Sequence, residues 1–223
     1  MKLIGTLFFL AAISAIAQTP QRSTVQATGT ASVSVTPDQA QINVSAVTQA
    51  ATAQDAANQN ATIATNIQSQ LAQALGSSGT VKTVGYSVNP NYTYHNDGSS
   101  TLNGYTVTNT IQVTLSDLTI TGKVIDTATQ AGASRIDSLQ FTLKDDTDAR
   151  SQALRAATVK AKAKADAMAA SVGLKTGSFL VIQEAGAVVQ PLTLGAAPGA
   201  STTPVQPGQL NVTGNVTIAV ELM

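Results

Sequence analysis

Hydrophobic and polar residues alternate along the sequence after residue 27, which is the pattern of half-buried β-strands. Ala31, Val33 and Val35 share one face of the first run, and Pro37 interrupts it. The alternation resumes over residues 40–46 with the opposite parity. A proline together with a change of parity predicts two strands joined by a bulge or a tight corner.

Two segments with apolar residues at helical spacing follow, and each ends at a glycine. Thr52 and Asp55 form a capping box at the start of the first, which ends at Gly76. The second is shorter, is capped by one of the residues 116–117 and stops at Gly132. Their apolar positions are rich in alanine, so we expect both helices to lie close to a sheet.

A third and longer helix is predicted after the acidic segment "DDTDAR", because negative charge is favourable at a helix amino terminus. Gly173 and Gly177 end this helix. Its predicted buried stripe consists of Leu154, Ala157, Ala161, Ala165, Met168 and Val172.

The most regular alternation lies between the first two helices, over residues 83–115, where the turn "HNDGSS" separates two strand patterns. This predicts a long antiparallel hairpin with one apolar and one hydroxyl-rich face. The apolar side carries all four tyrosines of the chain, Tyr86, Tyr92, Tyr94 and Tyr105. His95, the only histidine, falls on the other side near the tip.

The remaining strand patterns are Leu139–Leu143, residues 179–185 and Leu210–Leu222. Residues 179–185 are apolar on both faces, which predicts an interior strand. Residues 186–208, rich in glycine and proline, are expected to form a long surface loop. The order of elements predicts an α+β fold, in which about three helices pack on one face of a mostly antiparallel sheet through βαβ-type crossovers.

The amino-terminal residues 1–17 read as a cleaved signal peptide. Lys2 precedes an uncharged apolar run that ends in Ala15, Ile16 and Ala17, so cleavage is expected between Ala17 and Gln18. The run is short for a bilayer span, which needs roughly 20 apolar residues, and no later segment is apolar enough. We expect residues 18–27 to be a flexible segment and residues 28–223 to form one domain.

Charge and cysteine content exclude several classes of protein. Without residues 1–17 the chain has eleven Lys and Arg against twelve Asp and Glu, a formal charge of −1. Such a balance gives no electrostatic basis for binding nucleic acid. Cysteine is absent, which excludes disulfides, thiolate catalysis and lipid attachment through cysteine.

Motifs of known enzymes are absent from the sequence: no phosphate loop, dinucleotide fingerprint, nucleophile elbow or zinc-binding helix occurs. A catalytic triad would need His95, which is expected to be exposed beside the turn. A single His without Cys is a poor basis for a metal site. We therefore predict no catalytic residues, metal or cofactor. The densest acidic cluster, Asp145, Asp146 and Asp148, is expected to be a solvated helix start.

The tyrosines allow two interpretations. Tyr86 is expected to pack under a helix in the core. Tyr92, Tyr94 and Tyr105 lie beyond Pro90, where a helix need not reach, and exposed clustered aromatics mark a contact surface. The candidate partner- or ligand-binding residues are therefore Tyr92, Tyr94, Tyr105 and His95.

Several segments in this order resemble the SIMPL-domain family: "VQATGTASVSVTPDQAQINV", "LAQALGSSG", "GYSVNPNYTYHNDG" with "GYTVTNTIQVTLSDL", "VIDTATQAGASRIDSLQFTL" and "PGQLNVTGNVTIAVEL". The resemblance implies an exported or periplasmic bacterial envelope protein, often antigenic, linked loosely to stress tolerance and without an established enzymatic activity. It brings no catalytic residues.

Three functions remain in competition. The leading hypothesis is a non-enzymatic envelope protein that forms a homo-oligomer or binds an envelope protein partner, through strand edges at Ala31–Val35 and Leu210–Leu222 and through the tyrosine hairpin. The first alternative is a periplasmic hydrolase that uses carboxylates such as Asp145 or Asp97. The second is a small-ligand-binding protein with a closed cavity near Tyr92 and Tyr105.

Overall fold

The computed structural model describes residues 23–190, 192–193 and 205–223. The predicted signal peptide and its cleavage site lie outside these residues. The elements in chain order are β1 (Thr24–Val35), β2 (Gln39–Ala50), α1 (Ala53–Leu75), β3 (Gly79–Tyr94), β4 (Ser100–Leu115), a 3-10 turn (Leu118–Ile120), α2 (Thr121–Gln130), β5 (Arg135–Thr142), α3 (Thr147–Ser171), β6 (Thr176–Gln190), β7 (Leu192–Thr193) and β8 (Leu210–Leu222).

The α+β class and the antiparallel pairing are confirmed, but the strands form two sheets where the sequence pattern predicted one. The three-stranded sheet has the order β1-β8-β6, and the five-stranded sheet has the order β3-β4-β2-β5-β7. Every strand pair in the described residues is antiparallel. The chain changes sheets between β1 and β2, at the proline and parity shift that predicted a corner.

Helices α1 and α2 cover one face of the five-stranded sheet. The capping box is confirmed, because the Thr52 hydroxyl accepts from the backbone NH of Asp55 at 3.1 Å and donates to its carboxylate. Asn60 of α1 is buried and donates to the carbonyl of Ala46 in β2 at 2.9 Å. The core of this layer is largely aliphatic, with Phe141 of β5 as its largest fully buried side chain.

Helix α3 covers the three-stranded sheet through a stripe of alanines. The stripe is Ala149, Ala153, Ala157, Ala161, Ala165 and Ala169. This corrects the predicted stripe: Met168 and Val172 are exposed, and Leu154 is half-buried. A four-residue repeat of small side chains lets the helix backbone approach the sheet closely, and the larger residues lie on the flanks.

Two strand predictions were wrong. Strand β8, expected to offer a free edge, is the central strand of its sheet, between β1 and β6. Strand β6, expected to be interior, lies at the edge of the same sheet, and residues 179–182 are exposed. An unbroken apolar run shows that both faces of a strand favour burial. It does not show which molecule buries them.

The segment predicted as a long loop begins as a strand. Strand β6 continues to Gln190 and β7 occupies residues 192–193. Residues 205–208 belong to no helix or strand, and residues 194–204 lie outside the described part of the chain.

Candidate functional site

A row of exposed apolar side chains runs along the hairpin formed by β3 and β4. We call this row the tyrosine strip; its members are Val84, Tyr86, Val88, Tyr92, Tyr94 and Leu102. Tyr92 lies opposite Leu102 in the ladder. Directly opposite residues of an antiparallel pair project on the same face, so the strip is continuous across both strands near the tip.

The tyrosine strip is exposed for two reasons: its inner members lie on an edge strand, and its outer members lie where no helix covers the hairpin. Strand β3 is an edge strand, and α1 begins at Ala53, next to the paired residues Ala50 and Tyr105. The hairpin beyond that pair projects past the amino terminus of the helix. Tyr86 pairs with Asn109, before that point, and is exposed because β3 lies at the edge of the sheet. The prediction that Tyr86 is core is wrong: its exposed fraction is 56%, whereas Tyr105 is half-buried.

The outermost tyrosines contact each other. The ring centroids of Tyr92 and Tyr94 are 6.5 Å apart with an interplanar angle of 43°, a tilted arrangement that aromatic pairs favour. Tyr94 is 79% exposed, the largest value among the tyrosines. Two large aromatic surfaces thus face solvent side by side at the end of the hairpin.

Hydrogen bonds hold the turn at the tip in a defined conformation. The Asp97 carboxylate accepts from the backbone NH of Ser99 at 2.9 Å and from its hydroxyl at 2.7 Å, and these bonds lower the pKa of Asp97. The Asp97 carboxylate is therefore ionised at neutral pH and fixes the turn. Gly98 has a φ of 82°, which favours glycine.

His95 lies on the exposed tip, as predicted. Its Nε2 is 3.0 Å from the hydroxyl of Thr101, and its backbone NH donates to the carbonyl of Ser99. These are turn contacts, and they bring no carboxylate to the imidazole. The structure therefore places His95 beside the candidate tyrosines without giving it the partners of a triad.

The acids considered for hydrolysis are separated in the fold. Asp97 lies on the tip of the β3–β4 hairpin, whereas Asp145 precedes α3, and both are exposed. The Asp145 carboxylate accepts from the hydroxyl and the backbone NH of Thr147, and both bonds lower its pKa. Asp145 precedes the N-cap residue Asp146 and satisfies the first backbone NH of α3, which agrees with the predicted solvated helix start.

A polar cluster that the sequence pattern did not predict lies on the helix-free face of the five-stranded sheet. The Ser45 hydroxyl donates to the Asp137 carboxylate at 2.5 Å and lies 3.0 Å from the hydroxyl of Thr110. Arg135 pairs with the other Asp137 oxygen at 2.5 Å. Ser45 is 0% exposed, so its hydroxyl cannot reach a substrate. The cluster is best explained as a bridge between strands β2, β4 and β5.

The bulge that creates this cluster could not be located from the sequence. The register between β2 and β5 shifts at Asn43 and Val44, and Asp137 is the additional residue on β5. The segment "SRID", which ends at Asp137, alternates too briefly to reveal an inserted residue. A parity argument therefore cannot assign Asp137 to a face.

The described residues contain no group of three or more His, Cys, Asp and Glu side chains that could hold a metal ion. Within the same part of the chain, no helix combines the length and the apolar character needed to cross a membrane. A polar depression lies at the opposite end of the five-stranded sheet from the hairpin tip, lined by residues that include Ser78, Thr114 and Lys144. It contains none of the tyrosines.

The fold and the surface define an α+β protein with two antiparallel sheets, each covered by helices on one face, and an exposed aromatic hairpin. The chain belongs to the SIMPL family, described as "Protein of unknown function (DUF541)", whose model matches residues 25–220. It is similar to the 26 kDa periplasmic immunogenic proteins of Brucella melitensis biotype 1 and Brucella abortus strain S19. Each is 24% identical over 216 residues, which covers 92% of this chain and 86% of the relative.

Proposed function

We propose that this chain is a non-enzymatic exported envelope protein that self-associates or binds envelope partners through the tyrosine strip. The observation that carries the proposal is the row of exposed apolar side chains on a projecting hairpin with a hydrogen-bonded tip. Large aromatic side chains at the surface of a rigid element are typical of protein contact sites, because they bury much area at low entropic cost.

The compartment in the proposal comes from the relatives. The similar Brucella proteins are named as periplasmic, and the predicted signal peptide over residues 1–17 agrees with export. A periplasmic location would place the tyrosine strip in contact with other envelope proteins. Cleavage between Ala17 and Gln18 forms part of the proposal.

The proposed absence of catalysis is supported by the positions of the reactive side chains. A hydrolase that uses two carboxylates needs both of them in one sheltered site, with environments that separate their pKa values. Here the pKa values of Asp97 and Asp145 are both lowered, each by hydrogen bonds in its own exposed turn. The buried hydroxyl of Ser45 has a carboxylate partner but no access to solvent.

The double variant Tyr92→Ser and Tyr94→Ser is expected to lose the association that the tyrosine strip mediates while keeping its fold. Both side chains are exposed, so their removal should change the free energy of unfolding by less than about 1 kcal/mol. Loss of two central aromatics from an interface typically weakens binding at least about 30-fold. Size-exclusion chromatography with light scattering on residues 18–223, together with crosslinking in cells, measures the association.

A matched control replaces Val159 and Met168 by serine, because these exposed apolar residues lie on α3, far from the hairpin. The control should retain the wild-type mass and crosslinking pattern. The proposal fails if the unmodified chain is a monomer that recovers no partner in cells, or if both variants lose association equally.

A further inference from the structure

Strand β6 exposes the largest continuous apolar run outside the tyrosine strip among the residues that the structure describes. Phe179, Leu180, Val181 and Ile182 are all exposed, with Ile182 at 59%. The ladder shows that the run projects on both faces of the sheet. Ile182 lies opposite Ile218, which is buried under α3, whereas Val181 lies opposite Ala219 on the other face.

Helix α3 leaves β6 uncovered because of its position over the sheet. Its alanine stripe packs on β1 and β8, and the core it forms with them includes Ala27, Val216 and Ile218. Phe179 and Ile182 lie on the face of the sheet that α3 covers, but to the side of the helix. Among the described residues, β6 pairs with β8 alone, so its outer edge retains backbone groups without a strand partner.

The other two long edge strands carry features that prevent edge-to-edge pairing. The ammonium group of Lys164 in α3 donates a hydrogen bond to the carbonyl of Thr28 in β1 at 2.9 Å. Strand β3 contains Lys82 and Pro90, residue types that protect sheet edges. Residues 178–183 of β6 contain neither a charge nor a proline, although bulges lie on either side of Val181–Glu184.

We infer that β6 pairs antiparallel with β6 of a second copy of this chain, about a two-fold axis close to Ile182. A second strand pairs the open backbone edge and places apolar side chains beside those of β6 on both faces of the sheet. A helix or a small ligand packs on one face and leaves the backbone edge unpaired. The result is a six-stranded sheet, β1-β8-β6 followed by the same strands in reverse order. Phe179 and Ile182 of both copies then fill the space between the two α3 helices.

The charge on the strand favours this antiparallel register. Glu184 is the only charged residue between Phe179 and Gln190. With the axis at Ile182, Glu184 lies opposite Leu180 of the second copy, whereas a parallel pair in register would place two Glu184 carboxylates side by side. Like charges directly opposite each other destabilise strand pairs. An identical strand is therefore a complementary partner in the antiparallel direction.

Single cysteines test this inference directly, because the chain contains none of its own. Cysteine is introduced at each position from 180 to 184 in residues 18–223, and mild oxidation is followed by a non-reducing gel. Directly opposite residues in an antiparallel pair have Cα atoms about 4.5–5.5 Å apart, within the range that a disulfide bridges. Ile182→Cys should give the strongest dimer band, at least about fivefold above Val159→Cys, an exposed control on α3.

A second variant tests the same edge without cysteine. Ile182→Lys adds a charge at an exposed position, so the fold should persist while dimerisation weakens at least about tenfold in sedimentation velocity. Val159→Lys is the matched control and should sediment as wild type. The inference is overturned if no position from 180 to 184 exceeds the Val159→Cys band, or if Ile182→Lys leaves the dimer unchanged.

The inference rests on the self-association part of the proposed function but uses a different surface, and the two can fail separately. In the Tyr92→Ser and Tyr94→Ser background, the Ile182→Cys dimer should still form. A β6 dimer in a chain whose hairpin binds nothing would support this inference and refute the role of the tyrosine strip. Association that depends on the hairpin, without crosslinking through β6, would refute this inference and support the role of the tyrosine strip.

Discussion

Replacing Gly29 by alanine is expected to lower the free energy of unfolding by about 3 kcal/mol, because overpacking against backbone leaves little room for relaxation. A Cβ at Gly29 would lie 2.0 Å from the carbonyl oxygen of Ala157 and 2.5 Å from the backbone nitrogen of Ala161. Both atoms belong to α3, so the whole helix would have to move away from β1. The alanine stripe would then lose contact with the sheet along its length.

Urea denaturation followed by circular dichroism measures this change, and a melting temperature lower by about 6–12 °C should accompany it. Gly85→Ala is the matched control in β3, where a Cβ would meet Thr110 at an ordinary 3.5 Å. It should stay within about 1 kcal/mol of wild type. Equal stability of the two variants would show that α3 does not lie as close to β1 as described.

Truncation of Phe141 to alanine is expected to cost about 3–5 kcal/mol, the range measured for fully buried aromatic side chains. Phe141 is 0% exposed and belongs to the core beneath α1 and α2. Its partner in the ladder with β2 is Ala40, which is too small to fill the space left behind. The loss therefore includes both the transfer free energy of the ring and the cost of a cavity.

Phe141→Leu restores most of the volume and should lose less than half as much stability as Phe141→Ala in the same denaturation experiment. A loss below about 1 kcal/mol for the alanine variant would contradict the packing of the five-stranded layer. Association is not expected to change directly, because Phe141 is fully buried and belongs to neither exposed surface.

Local structure was readable from the sequence because it depends on neighbouring residues. The capping box at Thr52 and Asp55, the glycines after each helix and the antiparallel hairpin all appear where predicted, although the hairpin register shifts at two points. Each of these features depends on residues close together in the sequence. They either provide hydrogen-bond partners for backbone groups at a helix end or place glycine where the backbone needs a positive φ angle.

Long-range arrangement was not readable in the same way. The separation into two sheets depends on β1 pairing with β8, for example Thr28 with Thr217, which are 189 residues apart. Alternation identifies the two faces of a strand but contains no information on its partner. This is why β8 was assigned to an edge and β6 to the interior.

The candidate site shows the same limit. The sequence placed Tyr92 and Tyr94 on the apolar side of the hairpin, and the structure exposes both of them, whereas Val107 and Ile111 on the same predicted side are buried. Tyr86 shares the same alternation but was assigned to the core, because the pattern cannot show where α1 stops covering the sheet. The bridge between Ser45 and Asp137 needed the bulge in β5, which only the ladder reveals.

The most direct test of the contact-surface account is photo-crosslinking in living cells. A photoreactive phenylalanine analogue replaces Tyr94 in the full chain, and a second strain carries it at Val159, another exposed position outside both proposed interfaces. We expect ultraviolet light to produce a discrete higher-mass adduct in the strain with the analogue at position 94. The same adduct should be weak or absent in the strain with the analogue at position 159. An adduct yield at position 94 no greater than that at position 159 would contradict the proposal that the tyrosine strip binds a protein.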